Sequence, residues 1–288
     1  MTHLDPNALF PIREVSRLTG VKPITLRAWE RRYDLIEPVR TESGHRLYTQ
    51  EHIDYLNQAL KLMDEGIPIS RVKTVLSENP QHIHTPRHQP SDSELPGLVE
   101  QIAEACDHGN TSQIERWLDR LFADYSLKPL LPILVQIDQH ISKGQRNNLS
   151  LNLWQSALMQ RLQVRLHAYQ THSLTPSRRI FVQRSSHSPL WLAKLVALYC
   201  YEQGYQGISL DQIIPLEKVA QLKQHLHLYG IILIDQDGSS TLEWQVWFEQ
   251  LASLKTWVWG GENIEEQTPP SVNCELRAWP NWLQPLNR

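Results

Sequence analysis

The sequence predicts three folds in series: a mainly α N-terminal winged helix-turn-helix over residues 10–77, a helical bundle over 97–173, and a C-terminal α/β doubly wound parallel sheet over 174–288. Three observations predict this. Short apolar-periodic stretches bracket a polar hairpin, "RTESGHRLYT", in the first part. Four segments with one apolar stripe each fill the second. Strand-like and helix-like runs alternate in the third. Residues 78–96, "ENPQHIHTPRHQPSDSELP", carry four prolines and almost no apolar residues, so they predict a flexible linker.

The bulk properties set limits. A chain of 288 residues exceeds one typical domain, and 41% hydrophobic against 20% charged residues is enough for buried cores. A formal net charge of −3 argues against a protein coated in basic surface. No apolar run approaches the ~20 residues of a membrane helix. The start, "MTHLDPNALFPIREV", lacks the basic-then-apolar pattern of an export signal. Cys106, Cys200 and Cys274 are odd in number and far apart, which fits reduced thiols. The expectation is a cytoplasmic chain with no membrane partner.

In the first domain, Ile12, Val15 and Leu18 make one apolar face of a first helix. Gly20 permits a tight turn, Val21 packs back, and Pro23 opens a second helix that runs to about Tyr33. That helix is expected to bury Ile24, Leu26 and Ala28, to hold Trp29 mostly in the core, and to leave Thr25, Arg27, Arg31 and Arg32 available. A helix presenting its N-terminal turn in this way is what enters a major groove. In the hairpin, Pro38 and Val39 begin a strand, Ser43 and Gly44 turn it, and Arg46, Leu47 and Tyr48 return it. Arg40, His45 and Arg46 fall at its exposed end, where they can meet phosphates. Thr49 then caps a third helix with Ile53, Leu56, Leu60 and Met63 inward, and Gly66 turns to a fourth helix starting near Ser70.

With "LRAWERRYDLIEPVRTESGHRLYTQEHIDYL" in this order, residues 10–77 resemble the DNA-binding domain of the MerR family of transcription regulators. The resemblance implies that the helix carrying Thr25, Arg27 and Trp29 to Tyr33 reads the groove. It also implies that Arg46 and Tyr48 hold backbone phosphates, that promoter DNA is bound by a homodimer, and that RNA polymerase is a partner. Simpler members pair through a long helix directly after the reader. The proline-rich linker stands in its place here, so the C-terminal domains are expected to do the pairing. No enzyme activity is expected.

Downstream, "LVEQIAEACDHG", "SQIERWLDRLFADY", "KPLLPILVQIDQHI" and "LSLNLWQSALMQRLQVRLHAY" carry helical apolar spacing. "RRIFVQ", "QGISLD", "GIILIDQDG", "KTWVWGG" and "CELRAW" read as strands with helices between them. A bundle followed by such a sheet resembles the cobalamin-binding module of some MerR-type regulators. That module has a D-x-H-x-x-G motif after its first strand, whose His ligates cobalt, an S-x-L after its third, and a Gly pair after its fourth.

Ser240 and Leu242 match the S-x-L, and Gly260 and Gly261 match the Gly pair, so these four are the candidate cofactor-binding residues. His187 stands at the ligand position, but Ser185 and Leu190 stand where the motif needs Asp and Gly. The Glu-His pair that covers the corrin is absent from "NNLSLNLWQSAL". The expectation is therefore no cofactor and a sheet kept for dimerisation or for partners. Trp191, Trp244, Trp247, Trp257, Trp259, Trp279 and Trp282 either fill the corrin's space or form a protein-binding face. The combination resembles the MlrA-like branch of the MerR family, which carries a degenerate cobalamin-type domain. That resemblance implies activation of biofilm or curli genes and a link to cyclic-di-GMP signalling proteins. The alternative is a cobalamin-dependent sensor-regulator using the C-terminal domain.

Other polar groups suggest less. Asp235 and Asp237 end the third strand of the sheet, where α/β enzymes place catalytic groups, but a turn explains them and no base or nucleophile lies near in sequence. His82, His84 and His88 lie in the linker, and the cysteines lack metal-site spacing, so no metal site is expected.

Overall fold

The computed structural model describes residues 9–41, 45–78, 95–143, 148–172, 178–236, 254–266 and 273–286. They fall into two compact units, Met1–Glu104 with Asp119–His140 and Ala105–Leu118 with Ile141–Arg288.

The first unit begins with β1 (Phe10–Pro11) and α1 (Ile12–Thr19). Gly20 closes α1 at φ 75, with its N–H on the Ser16 carbonyl, a left-handed cap that glycine adopts without a Cβ penalty. Val15 is buried as expected, but Leu18 keeps 39% of its surface. α2 (Pro23–Tyr33) starts with its proline in the first turn.

Here the inward face differs from the expectation. Leu26 and Trp29 are buried, Ala28 is half-buried, and Ile24 is 71% exposed. Residues 24, 27, 28 and 31 share one face and 26, 29 and 33 the other. Turning a leucine and a tryptophan inward removes more apolar area than turning in an isoleucine and an alanine.

β2 (Val39–Arg40) and β3 (Arg46–Tyr48) form the wing and pair antiparallel, Val39 opposite Leu47 and Arg40 opposite Arg46. β1 adds a third strand that the sequence pattern does not predict, with Phe10 opposite Tyr48, so the order is β1-β3-β2. Ser43 and Gly44 lie outside the described residues. α3 (Gln50–Asp64) opens on a capping box: the Thr49 hydroxyl accepts the His52 N–H, and His52 Nδ1 accepts the Thr49 N–H, each at 3.2 Å. α4 (Ile69–Glu78) follows. Val15, Leu26, Trp29, Tyr48, Ile53, Leu56, Ala59, Met63, Ile69 and Val72 are buried in one core.

Of the linker predicted over 78–96, Glu78 closes α4 and Leu95 and Pro96 open the next helix, and residues 79–94 lie outside the described set. Beyond it come α5 (Leu95–Asp107), α6 (Thr111–Asp124), α7 (Leu127–Lys143) and α8 (Asn148–His172), as the spacing predicts. Trp154, Leu158, Leu162 and Leu166 give α8 a buried stripe at four-residue intervals, and α8 packs on the first helix of the α/β region.

That region runs β4 (Arg179–Arg184), α9 (Leu190–Glu202), β5 (Gln206–Ser209), α10 (Leu216–Leu226), β6 (Leu228–Asp235), β7 (Lys255–Gly260) and β8 (Cys274–Ala278). All five strands are parallel in the order β5-β4-β6-β7-β8. The chain starts inside the sheet and winds both ways, the doubly wound arrangement. Continuous buried runs, Ile180–Val182, Ile231–Ile234 and Trp257–Trp259, are what a parallel sheet covered on both faces requires.

Candidate nucleic-acid interface

α2 presents Ile24, Arg27 and Arg31 on its outer face with Arg32 alongside, all exposed, and Thr25 half-buried. Its first turn holds no acidic residue, and Lys22 at the N-cap makes no side-chain cap. Positive potential at this helix end is therefore not quenched locally. The wing adds Arg40 and His45, both exposed, and Arg46, half-buried.

One carboxylate organises these cations. Arg40 and Arg46 sit directly opposite each other across the wing, a like-charge pair that is destabilising alone. Glu30 on α2 holds both. Its Oε1 accepts from Arg40 Nη2 at 2.8 Å and from Arg46 Nη2 at 3.2 Å, and its Oε2 accepts from Arg46 Nε at 2.6 Å. The Glu30 side chain is only 14% exposed. Burial pushes its carboxyl pKa up, but the Arg46 hydrogen bond and the charges of Arg46 and Arg40 outweigh this and leave it below its ordinary value. The same hydrogen bond raises the Arg46 guanidinium, so the pair stays ionised at neutral pH. Glu30 takes only part of each fork of five donors, and the remaining N–H groups can still donate to a phosphate.

Two candidates sit elsewhere than expected. Tyr48 is fully buried, and its hydroxyl finds no hydrogen-bond partner among the described residues, so in this conformation it cannot reach a phosphate. The physical reason is strand alternation: Tyr48 shares a face of β3 with Arg46, and that face turns onto α2. Tyr33 at the end of α2 is half-buried and donates to Asp124 Oδ1 at 3.0 Å, within the first unit. Beside it, Asp34 caps α2 at φ 48, and Lys73 from α4 donates to its carbonyl at 2.7 Å. Glu30 is the residue that sequence reasoning misses. Two arginines at facing wing positions, with a glutamate three residues after Arg27, are the available signal.

In the α/β region, the carboxyl end of β7 is occupied by other parts of the chain. A Cβ on Gly260 would lie 2.1 Å from Ile264 Cδ1. The Gly260 carbonyl accepts from Trp282 Nε1 at 2.9 Å and from the Trp279 N–H at 3.0 Å. A Cβ on Gly261 would stand 3.4 Å from the Gln236 carbonyl. Trp191, Trp257, Trp259 and Trp282 are buried, and Trp279 packs edge-on against Trp282 at 5.0 Å. The other two candidates of this region, Ser240 and Leu242, lie outside the described residues together with Asp237, Trp244 and Trp247.

His187 is exposed, with Nδ1 3.3 Å from Ser186 Oγ, and Asp235 is buried at the end of β6. Among the described residues no group of three or more His, Cys, Asp or Glu is placed to hold a metal. The three cysteines are buried and form no disulfide, and burial pushes the Cys274 thiol up to about 12. Among the described residues no helix is long and apolar enough to cross a membrane.

Comparison with known proteins agrees with the geometry at the N-terminal end. Residues 10–79 match the family described as MerR HTH family regulatory protein. The chain is 32% identical over 123 residues to the HTH-type transcriptional regulator MlrA of Escherichia coli, covering 43% of this chain and 47% of that one. It is 35% identical over 86 residues to the HTH-type transcriptional repressor CarA of Myxococcus xanthus, covering 29% and 28%. The chain thus spans less than half the length of either relative.

Among solved structures, the methanol:cobalamin methyltransferase complex MtaBC of Methanosarcina barkeri aligns over 70% of this chain and 83% of that one. Identity is 13% and the TM-score 0.30, a likeness too low to carry an argument. Helix, wing and the matched family description converge on one statement: residues 10–79 are a MerR-type helix-turn-helix domain.

Proposed function

We propose that the chain regulates transcription by binding double-stranded promoter DNA as a homodimer, in the cytoplasm and without catalytic activity. The observation that carries this reading is the set of four arginines, Arg27 and Arg31 exposed on α2 and Arg40 and Arg46 on the wing, the latter two held by Glu30. One such reader touches little of a duplex, and two on a palindromic site double the interface.

The finer reading, activation with RNA polymerase of biofilm- or curli-type genes with cyclic-di-GMP signalling proteins as input, is what the resemblance to the MlrA-like branch implies; MlrA itself is named a transcriptional regulator. CarA is named a repressor, so a promoter-reporter assay decides the sign.

We also propose that the protein works without cobalamin. The residues described do not fit the group: Ile264 fills the space beside Gly260, the Trp282 indole donates to the Gly260 carbonyl, and Ser185 and Leu190 replace the residues that accompany a ligand His. Adenosylcobalamin mixed with the pure protein should keep the absorption spectrum of free cofactor, and a shifted spectrum would sink this part.

The main test is selection of bound duplexes from a random-sequence library with the full chain, followed by mobility shift on the enriched duplex. The expected result is a palindromic site bound by two chains per duplex, with affinity reduced in Arg27→Ala and Arg46→Ala. No enriched sequence, or variants that bind as the parent does, would reject the reading.

A further inference from the structure

We propose that Ile24 reads a base, its side chain packing on the C5 methyl of a thymine in the major groove. The inference rests on the DNA-binding reading above and names a specificity determinant within it. Ile24 is 71% exposed, the highest value among the exposed large hydrophobics described. It is the second residue of α2, directly after Pro23, on the turn that a groove-entering helix puts deepest.

Its neighbours on the same face are Arg27, Ala28 and Arg31. The alanine leaves the face low enough for close approach, and the two exposed arginines supply attraction for the backbone of a polyanion. The first turn carries no acidic residue to oppose that approach.

Nothing local accounts for isoleucine here. It is not buried against the core, and a β-branched residue is a poorer helix former than Ala, Glu or Lys. What the major groove offers to an apolar side chain is the thymine methyl, since every other base edge there presents hydrogen-bond donors and acceptors. The occupant that fits both the apolar tip and its cationic surround is therefore a thymine-bearing duplex.

The experiment uses the full chain and the selected duplex, with each thymine replaced in turn by deoxyuridine, which removes only the methyl. At one thymine per half-site the parent should bind about fourfold more weakly, the effect of one buried methyl-sized group. Ile24→Ala should bind the thymine duplex about fourfold more weakly and change by less than about 1.5-fold on replacement at that position. Ile24→Val, which keeps a branched apolar tip, should retain the discrimination. Because Ile24 is exposed, these variants leave the core intact. If every replacement affects parent and Ile24→Ala alike while Arg27→Ala still weakens binding, the inference is overturned and the DNA-binding reading stands. If no duplex is selected at all, the reading itself fails and the inference with it.

Discussion

Exposed Arg40 and half-buried Arg46 of the wing are both held by one half-buried carboxylate, Glu30 of α2. Arg277 at the far end of the C-terminal sheet is only 3% exposed and is used entirely inward. It donates to Glu275 and to the carbonyls of Trp282, Gln284 and Pro285, and lies 5.7 Å from the Trp259 ring centre. The glycines divide the same way. Gly20 makes a turn that sets α2 on the surface, whereas Gly260 gives room to Ile264. A cation or a glycine at a fold's ligand-binding position is therefore a site only if the chain has not already used it. In the wing donors remain for another molecule, while around Gly260 and Arg277 the chain binds itself.

The largest effect that would break this contrast concerns Arg277. Arg277→Ala leaves the carbonyls of Trp282, Gln284 and Pro285 without this donor and Glu275 with only the Trp257 indole, and should cost about 3–5 kcal/mol, read from urea unfolding of the full chain. A cost below about 1 kcal/mol, as for an exposed pair, would place Arg277 in the same class as the wing arginines.

Next comes Gly260→Ala, where the new Cβ meets Ile264 and should cost about 1–3 kcal/mol by overpacking. Combined with Ile264→Ala, the two destabilisations should be less than additive, because the smaller side chain admits the methyl. A tolerated Gly260→Ala with no coupling would mean that the glycine faces open space and is free for a ligand.

The smallest effect is Glu30→Gln, expected to cost about 1–2 kcal/mol by weakening charge-assisted bonds to two arginines. Its pH dependence has a definite sign. The Glu30 carboxyl pKa is lowered in the folded state, so its contribution is present above the unfolded value and is lost as pH falls through the folded one. The stability gap between parent and Glu30→Gln should be full at about pH 7 and shrink by about pH 3.5, in denaturant titrations at both. A gap that widens in acid would contradict the pairing.

Much of this is legible in the sequence. Gly20, Pro23 and Thr49 mark helix boundaries through local backbone chemistry, and the structure places each at the terminus expected. The alternation of β4, α9, β5, α10 and β6 is equally readable, because period and composition do not depend on what packs above.

The facing of α2 is not legible. Apolar residues at 24, 26, 28 and 29 describe two possible inner faces, and only the larger buried area of Leu26 with Trp29 chooses between them. Tyr48 escapes a reading that places Arg46 outward by its charge, because alternation in β3 puts both on one side, and that side faces α2. The two-residue β1 is too short to show a pattern, and its pairing of Phe10 with Tyr48 is a tertiary event. Glu30 is hidden for the same reason: its partners come from a wing whose register the linear sequence does not print.

The proposed reading places phosphate contacts of bound DNA on Arg27 and Arg46 of the N-terminal domain. Fluorescence anisotropy of the full chain on the selected duplex, titrated across salt, tests it most directly. Arg27→Ala and Arg46→Ala should each weaken binding and flatten the slope of log affinity against log salt by about 0.9 for every phosphate left unneutralised. Affinities and slopes equal to those of the parent would contradict the account.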